Sequence, residues 1–122
     1  MSTGTSTGTA SGIKTVIHPV KDLDRAKALF AALLGSDPVM DEPYYVQFVA
    51  GDLEVGLDPN GHAHGMTGPV TYWHVNDVER AVTVLVAAGA GEGQKVRDVG
   101  GGRRTATVTD ADGTTIGLIQ TA

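Results

Sequence analysis

Two stretches of the chain repeat apolar residues at the spacing of an α-helix, and helix start and stop signals bound each of them. An aspartate at a helix start accepts hydrogen bonds from the first turn, and a glycine after the end adopts the left-handed conformation that stops a helix. The first stretch follows Asp22 and closes at Gly35, with its apolar positions at Leu23, Ala26, Leu29, Phe30, Leu33 and Leu34. The second follows Asp77 and closes at Gly89, with its apolar positions at Val78, Ala81, Val82, Leu85 and Ala88. The pattern therefore predicts two amphipathic helices.

The remaining segments predict strands. In residues 53–58 leucine and valine alternate with Glu54, Gly56 and Asp58, which is the two-residue period of a half-buried strand. Gly56 lies on the polar face of this strand, where a glycine offers no side chain to pack. Apolar, β-branched or alternating runs bounded by turn residues predict strands in residues 13–20, 44–51, 53–58, 70–75, 93–99, 103–110 and 114–120.

The order of elements occurs twice, and so do short sequences within it. VKDLDRA, residues 20–26, recurs as VNDVERA, residues 75–81, and EVGLD, residues 54–58, recurs as TIGLI, residues 115–119. Self-similarity of this kind indicates a repeated structural unit. We expect an α+β fold of two tandem βαβββ modules, about residues 12–61 and about residues 67–122.

Composition restricts the class of protein. A chain of 122 residues with 41% apolar residues forms one domain, here residues 12–122, whereas the small polar residues 1–11 predict a flexible N-terminal tail. Without cysteine, disulfides and thiolate-bound metals are excluded. A net charge of −5 disfavours nucleic acid as a partner and slightly favours cationic ligands. No signal peptide or membrane-spanning run is present, so we expect a cytoplasmic protein with no membrane partner.

Three motifs together resemble the vicinal oxygen chelate superfamily. They are HPVKDLDRAKALFAALLG, YWHVNDVERAVTVLVAAGA and DADGTTIGL, and the resemblance covers almost the whole chain after the tail. Members include glyoxalase I, fosfomycin-resistance transferases, extradiol dioxygenases, methylmalonyl-CoA epimerase and bleomycin-resistance binding proteins. The resemblance implies curled mixed sheets that form a cup, and it implies no particular reaction, because one fold hosts many functions.

Metal-dependent members of that superfamily hold a divalent ion with His or Gln on the first strand of each module and Glu on the last. The resemblance places the first-strand ligands seven residues before the capping aspartates, at Thr15 and Val70, and the last-strand ligands at Gly56 and Gly117. None of these residues offers an imidazole or a carboxylate, so no metal and no cofactor is expected. The two glycines are expected to open the floor of the cup rather than fill it.

Strand alternation assigns other residues to the cup face. We expect a small organic ligand to be bound by Thr15, Tyr45, Gln47, Glu54, Gly56, Asp58, Val70, Tyr72, His74 and Gly117. Three of these have ordinary structural alternatives: Tyr45 and Tyr72 as common strand residues, and Asp58 as the initiator of the turn at Pro59. His74 at a strand end has a binding or acid–base role or is simply solvated. His18 falls on the helix side.

The sequence therefore predicts a metal-independent small-molecule-binding protein of the glyoxalase/bleomycin resistance type, with no catalytic residue assigned. The alternative is an enzyme: a glyoxalase-like isomerase or lyase, or a dioxygenase, with a non-standard metal site or none. One-domain members of the superfamily commonly pair, so the resemblance also implies a homodimer.

Overall fold

The computed structural model describes residues 10–121, which divide into two compact units. The first unit is Ile13–Tyr72, and the second comprises the rest of the described residues. Two strands contribute to both units, namely β1 (Ala10–Pro19) and β5 (Val70–Val75).

The first unit is a helix on a mixed sheet. Its elements are β1, α1 (Leu23–Leu34), β2 (Met40–Glu42), β3 (Tyr45–Ala50), β4 (Leu53–Asp58), a short 3-10 helix (His62–His64) and the start of β5. The strands lie in the order β2-β3-β4-β1, with β1 parallel to β4 and β3 antiparallel to both of its neighbours.

The second unit repeats this arrangement. After β5 come α2 (Val78–Ala87), β6 (Gly91–Glu92), β7 (Arg97–Gly100), β8 (Arg103–Thr109) and β9 (Thr115–Gln120). The strand order is β5-β9-β8-β6, and β7 also pairs with β8. The predicted α+β class with two βαβββ modules is confirmed. Neither helix of the described chain has the length and apolar character needed to span a membrane.

Both helices begin where the aspartates predict. The side chain of Asp22 accepts a hydrogen bond from the Arg25 backbone N–H at 3.1 Å, and that of Asp77 does the same for Arg80 at 3.1 Å. The second helix has an additional partner at its start, because the Val78 N–H donates to Gln120 Oε1 at 2.8 Å. Such contacts satisfy first-turn donors that have no partner within the helix.

Each unit has its own apolar core beneath its helix. In the first unit the fully enclosed residues come from β3 and β4, and residues of α1 pack against them; the buried members are Val46, Phe48, Val55 and Leu57. In the second unit the buried members are Val75, Val78, Ala81, Ala106 and Leu118. Val55, Leu57, Val75 and Leu118 therefore lie on the helix side of their strands.

Four short pieces of the fold were not predicted, and one of them is the 3-10 helix His62–His64 after β4. β2 and β6 have three and two residues, too few to carry a periodic pattern of their own. Ala10 and Ser11, which composition assigned to the tail, lie in β1, and Ser11 forms side-chain hydrogen bonds to His74. These distant partners cannot be read from local composition. The rest of the predicted tail lies outside the described residues.

His18 lies on the helix side of β1, as alternation predicts. Its ring centroid is 5.0 Å from that of Phe30 on α1, with a tilt of 51°. Burial lowers the pKa of His18 below its ordinary value of 6.5, because removal from water disfavours the charged imidazolium. As the pH falls through the unfolded pKa, the unfolded chain then takes up a proton more readily than the folded chain does. His18 therefore lowers the free energy of unfolding as the pH falls through 6.5, and it causes no such loss well above that pH.

We expect His18→Gln to reduce this loss of stability on acidification. Urea unfolding at pH 7.5 and pH 5 measures it as the difference between two free energies of unfolding. His62→Gln, at an exposed histidine, is the matched control. An unchanged pH dependence in His18→Gln would show that burial of this imidazole does not contribute.

Candidate functional site

The sheet of the first unit has one face under α1 and one face that points away from it, which we call the helix-distal face. Val46, Phe48, Val55 and Leu57 pack towards α1, so the residues between them point the other way. The strand registers then fix which side chains are neighbours on the helix-distal face. Thr15 lies beside Glu54, Val49 lies on the other side of Glu54, and Gln47 lies beside Gly56.

Thr15 and Glu54 form a polar pair on this face. The Thr15 hydroxyl donates a hydrogen bond to Glu54 Oε1 at 2.9 Å, and Thr15 is only 2% exposed. The second carboxylate oxygen of Glu54 lies 3.8 Å from Lys14 Nζ. The Glu54 side chain is 13% exposed and the Lys14 side chain 34%. Glu54 is therefore a largely buried carboxylate that accepts a hydrogen bond from a hydroxyl and has a lysine nearby. The sequence did not indicate a role for Lys14.

Tyr45 covers Gly56. A Cβ on Gly56 would lie 2.7 Å from Tyr45 Cζ and 2.9 Å from Cε1, and closer still to the phenol oxygen. The same hydroxyl donates to Gln47 Oε1 at 3.2 Å. The expectation that Gly56 leaves the floor open is therefore wrong, because the phenol from the neighbouring strand fills the space over it. A residue with a side chain at this position would require the Tyr45 ring to move.

The other predicted residues of the first unit have simpler surroundings. Asp58 accepts a hydrogen bond from the Asn60 backbone N–H at 2.8 Å, so it initiates the turn, as its sequence context indicates. Val70 and Tyr72 lie on the same face of β5 as His74, and both are buried, at 5% and 8% exposure.

Apolar side chains on the helix-distal face are partly accessible. Met40 on β2 pairs with Gln47, which places it on this face, and both Met40 and Val49 are exposed. Tyr45 on β3 is half-buried. Met40 could not be assigned from sequence, because a three-residue strand shows no alternation.

In the second unit, His74 lies between two hydroxyl groups. Its Nδ1 is 3.0 Å from Ser11 Oγ, and its Nε2 is 3.1 Å from Thr121 Oγ1. Ser11 Oγ also donates to the backbone oxygen of His74 at 3.4 Å. Gly117 is buried on β9 beside Thr107, with Leu118 facing the core, so Gly117 points away from α2 as predicted.

The four positions at which the resemblance places metal ligands do not suit a divalent ion. Thr15 uses its hydroxyl on Glu54, Gly56 is covered by a phenol, and Val70 and Gly117 have no donor atom in their side chains. Within residues 10–121, no group of three or more His, Asp or Glu side chains is arranged to hold a metal ion.

The fold is that of a known superfamily. The family model of the Glyoxalase/Bleomycin resistance protein/Dioxygenase superfamily matches residues 12–118. The chain therefore belongs to that superfamily, as the motifs indicated.

Solved structures with the same fold belong to proteins with diverse names. One described as an NAD-dependent benzaldehyde dehydrogenase from Legionella pneumophila has a TM-score of 0.73 and 18% identity, over 88% of this chain and 98% of that one. Methylmalonyl-CoA epimerase from Mycobacterium tuberculosis has a TM-score of 0.71 and 20% identity, over 96% and 92%. A Mn(II)-bound glyoxalase from Novosphingobium aromaticivorans has a TM-score of 0.67 and 21% identity, over 91% of this chain and 39% of that longer one. A comparison with curated sequences found no match. At these identities the likeness shows the fold alone.

Proposed function

We propose that the chain is a metal-independent binding protein that holds a small organic molecule on the helix-distal face. The observation that carries this proposal is the chemistry of the four positions described above, where Thr15, Gly56, Val70 and Gly117 stand in place of imidazoles and carboxylates. A protein that acts by sequestration needs affinity and shape, whereas a metal-dependent enzyme needs fixed donors that leave positions open for the substrate.

The surface supports binding in a second way. Accessible apolar side chains lie next to a few polar groups with fixed hydrogen bonds, which is the usual composition of a small-molecule site. Tyr45, Gln47 and Glu54 supply the polar atoms, and Met40 and Val49 supply the apolar area.

Calorimetric titration tests this function. Protein purified without a metal-affinity tag is titrated with a panel of aromatic and cationic organic compounds, before and after treatment with a chelator. We expect at least one compound to saturate the protein with the same affinity in both samples. No binder in the panel, or binding that is lost on chelation, would contradict the proposal.

Metal analysis of the same preparation separates the two candidate functions. We expect substoichiometric zinc, nickel, iron and manganese. A divalent metal retained at one per chain would favour the alternative, an isomerase, lyase or dioxygenase with a non-standard metal site. The cytoplasmic homodimer and the absence of nucleic-acid partners stay predictions from the sequence and its resemblance.

A further inference from the structure

One side of α1 carries the two most exposed large apolar side chains of residues 10–121. Leu33 is 72% exposed and Leu29 is 66% exposed. They are four residues apart in the same helix, so they lie next to each other on successive turns. A single exposed leucine is common on protein surfaces, whereas an adjacent pair at this exposure forms an apolar patch.

The other apolar residues of α1 are used within the first unit. Those that pack against its core are Leu23, Ala26, Phe30, Ala31 and Leu34. Leu29 and Leu33 therefore extend the apolar stripe of the helix beyond the width that the sheet covers. The sequence pattern did not separate these two groups, because all of these residues recur at helical spacing.

Small residues lie beside the two leucines. Ala28 and Ala32 are both exposed, and Arg25 is exposed one turn before them. Two helices approach more closely where the side chains at their contact are small. We call the surface formed by Arg25, Ala28, Leu29, Ala32 and Leu33 the α1 outer face.

The charges at the two ends of this face favour an antiparallel helix as its partner. Arg25 lies in the first turn of α1, and Asp37 follows the end of the helix and is exposed. The last turn contains no basic residue, so nothing in it compensates the negative end of the helix dipole. An antiparallel second copy brings its own Arg25 to that end. A parallel copy would instead place Arg25 beside Arg25, and these repel each other.

One antiparallel register pairs the leucines and the charges together. When Leu29 lies opposite Leu33 of the second copy, the same offset places Arg25 opposite Asp37 of the second copy. A shift by one turn that pairs Leu29 with Leu29 would place Arg25 opposite Leu33 and separate the charges. The favoured arrangement is two-fold symmetric, so it closes with two chains and contains each contact twice.

We propose that the α1 outer face is an interface between two copies of this chain, with Leu29 opposite Leu33 and Arg25 opposite Asp37. The resemblance to the superfamily implies a homodimer without a surface, and these residues supply one. The inference is independent of the proposed ligand binding. A single pair of helices buries less area than a standard interface, so we expect a dissociation constant of about 10–100 µM.

Sedimentation velocity between about 1 µM and about 500 µM measures this association. We expect a monomer at the low end of the range and a dimer at the high end. Leu29→Ala is expected to weaken the dimer about tenfold, because apolar contact area is lost at two places. Val84→Ala is the matched control, since Val84 holds the same position in the repeat on α2 and is also exposed. The control should stay within about twofold of the unmodified chain.

Charge reversal tests the orientation and the register. Arg25→Asp alone and Asp37→Arg alone each place like charges opposite one another twice, and each is expected to weaken the dimer about tenfold. The double variant exchanges the two charges and is expected to recover the original affinity to within about threefold. Arg80→Asp is the control, because Arg80 is the counterpart of Arg25 in the repeat on α2.

Urea unfolding separates a loss of association from a loss of folding. At about 1 µM the unmodified chain is expected to be a monomer, so Leu29→Ala and both charge reversals should leave the midpoint of unfolding nearly unchanged. The exposure of these side chains leads to the same expectation.

Three results would overturn the inference: a monomer at about 500 µM, equal effects of Leu29→Ala and Val84→Ala, or no recovery of affinity in the double charge variant. A dimer whose affinity is unchanged in every α1 variant would use another surface, which also contradicts the inference. None of these results bears on the calorimetric test of ligand binding.

Discussion

Replacement of Gly56 by alanine is expected to lower the free energy of unfolding by about 2 kcal/mol. The added methyl group would lie 2.7 Å from Tyr45 Cζ, so the phenol must leave its place over the sheet. The ring then loses its packing on Gly56 and its hydrogen bond to Gln47 Oε1. Urea unfolding followed by circular dichroism measures the change.

A double-mutant cycle with Tyr45→Ala tests the cause. In the Tyr45→Ala background the methyl meets no ring, so Gly56→Ala should cost less than about 0.5 kcal/mol and the two changes should be strongly non-additive. Gly68→Ala is the control, because a Cβ at Gly68 has no heavy atom within 4 Å. If Gly56→Ala lowers the free energy of unfolding equally in both backgrounds, the strain does not come from the Tyr45 ring.

Replacement of Phe48 by alanine is expected to cost about 3–5 kcal/mol of unfolding free energy, the usual range for a buried phenylalanine. Phe48 is fully enclosed between Val55, Leu57 and the residues of α1, and its ring centroid lies 6.4 Å from that of Phe30. Because a domain of this size is stable by only about 5–15 kcal/mol, the variant should lie close to the threshold of unfolding. Chemical denaturation at 15 °C and 25 °C measures the loss.

Leu33→Ala on α1 is the matched truncation. Leu33 is 72% exposed, and leucine and alanine are both good helix formers, so the expected change is within about 0.5 kcal/mol. Similar losses in Phe48→Ala and Leu33→Ala would contradict the position of the core beneath α1.

The fold was predictable because its signals are local and are repeated. Asp22 and Asp77 mark the helix starts through short-range hydrogen bonds, and the alternation in β4 and β9 assigns each residue to a face. The two related sequences then indicate that the same unit occurs twice. The short strands β2 and β6, the 3-10 helix and the start of β1 were missed.

The site was less predictable because it depends on contacts between strands. Residue type and alternation placed four residues on one face, namely Thr15, Tyr45, Gln47 and Glu54. They did not indicate which atoms of these residues form contacts. The diagonal reach of Tyr45 across to Gly56 depends on the register of β3 and β4 and on the rotamer of the ring. The approach of Lys14 to Glu54 likewise depends on a long flexible side chain, whose direction a sequence pattern does not fix.

The contact between Gln120 and the first turn of α2 bears on how the nascent chain assembles during translation. The core beneath α1 draws only on residues 20–57, so it can close while later segments are still being synthesised. The core beneath α2 includes Leu118, and the start of that helix depends on Gln120, so neither is complete until these residues have left the ribosome. The residues of the core beneath α1, in the half that carries Tyr45 and Glu54, are therefore synthesised before the last residues of the core beneath α2.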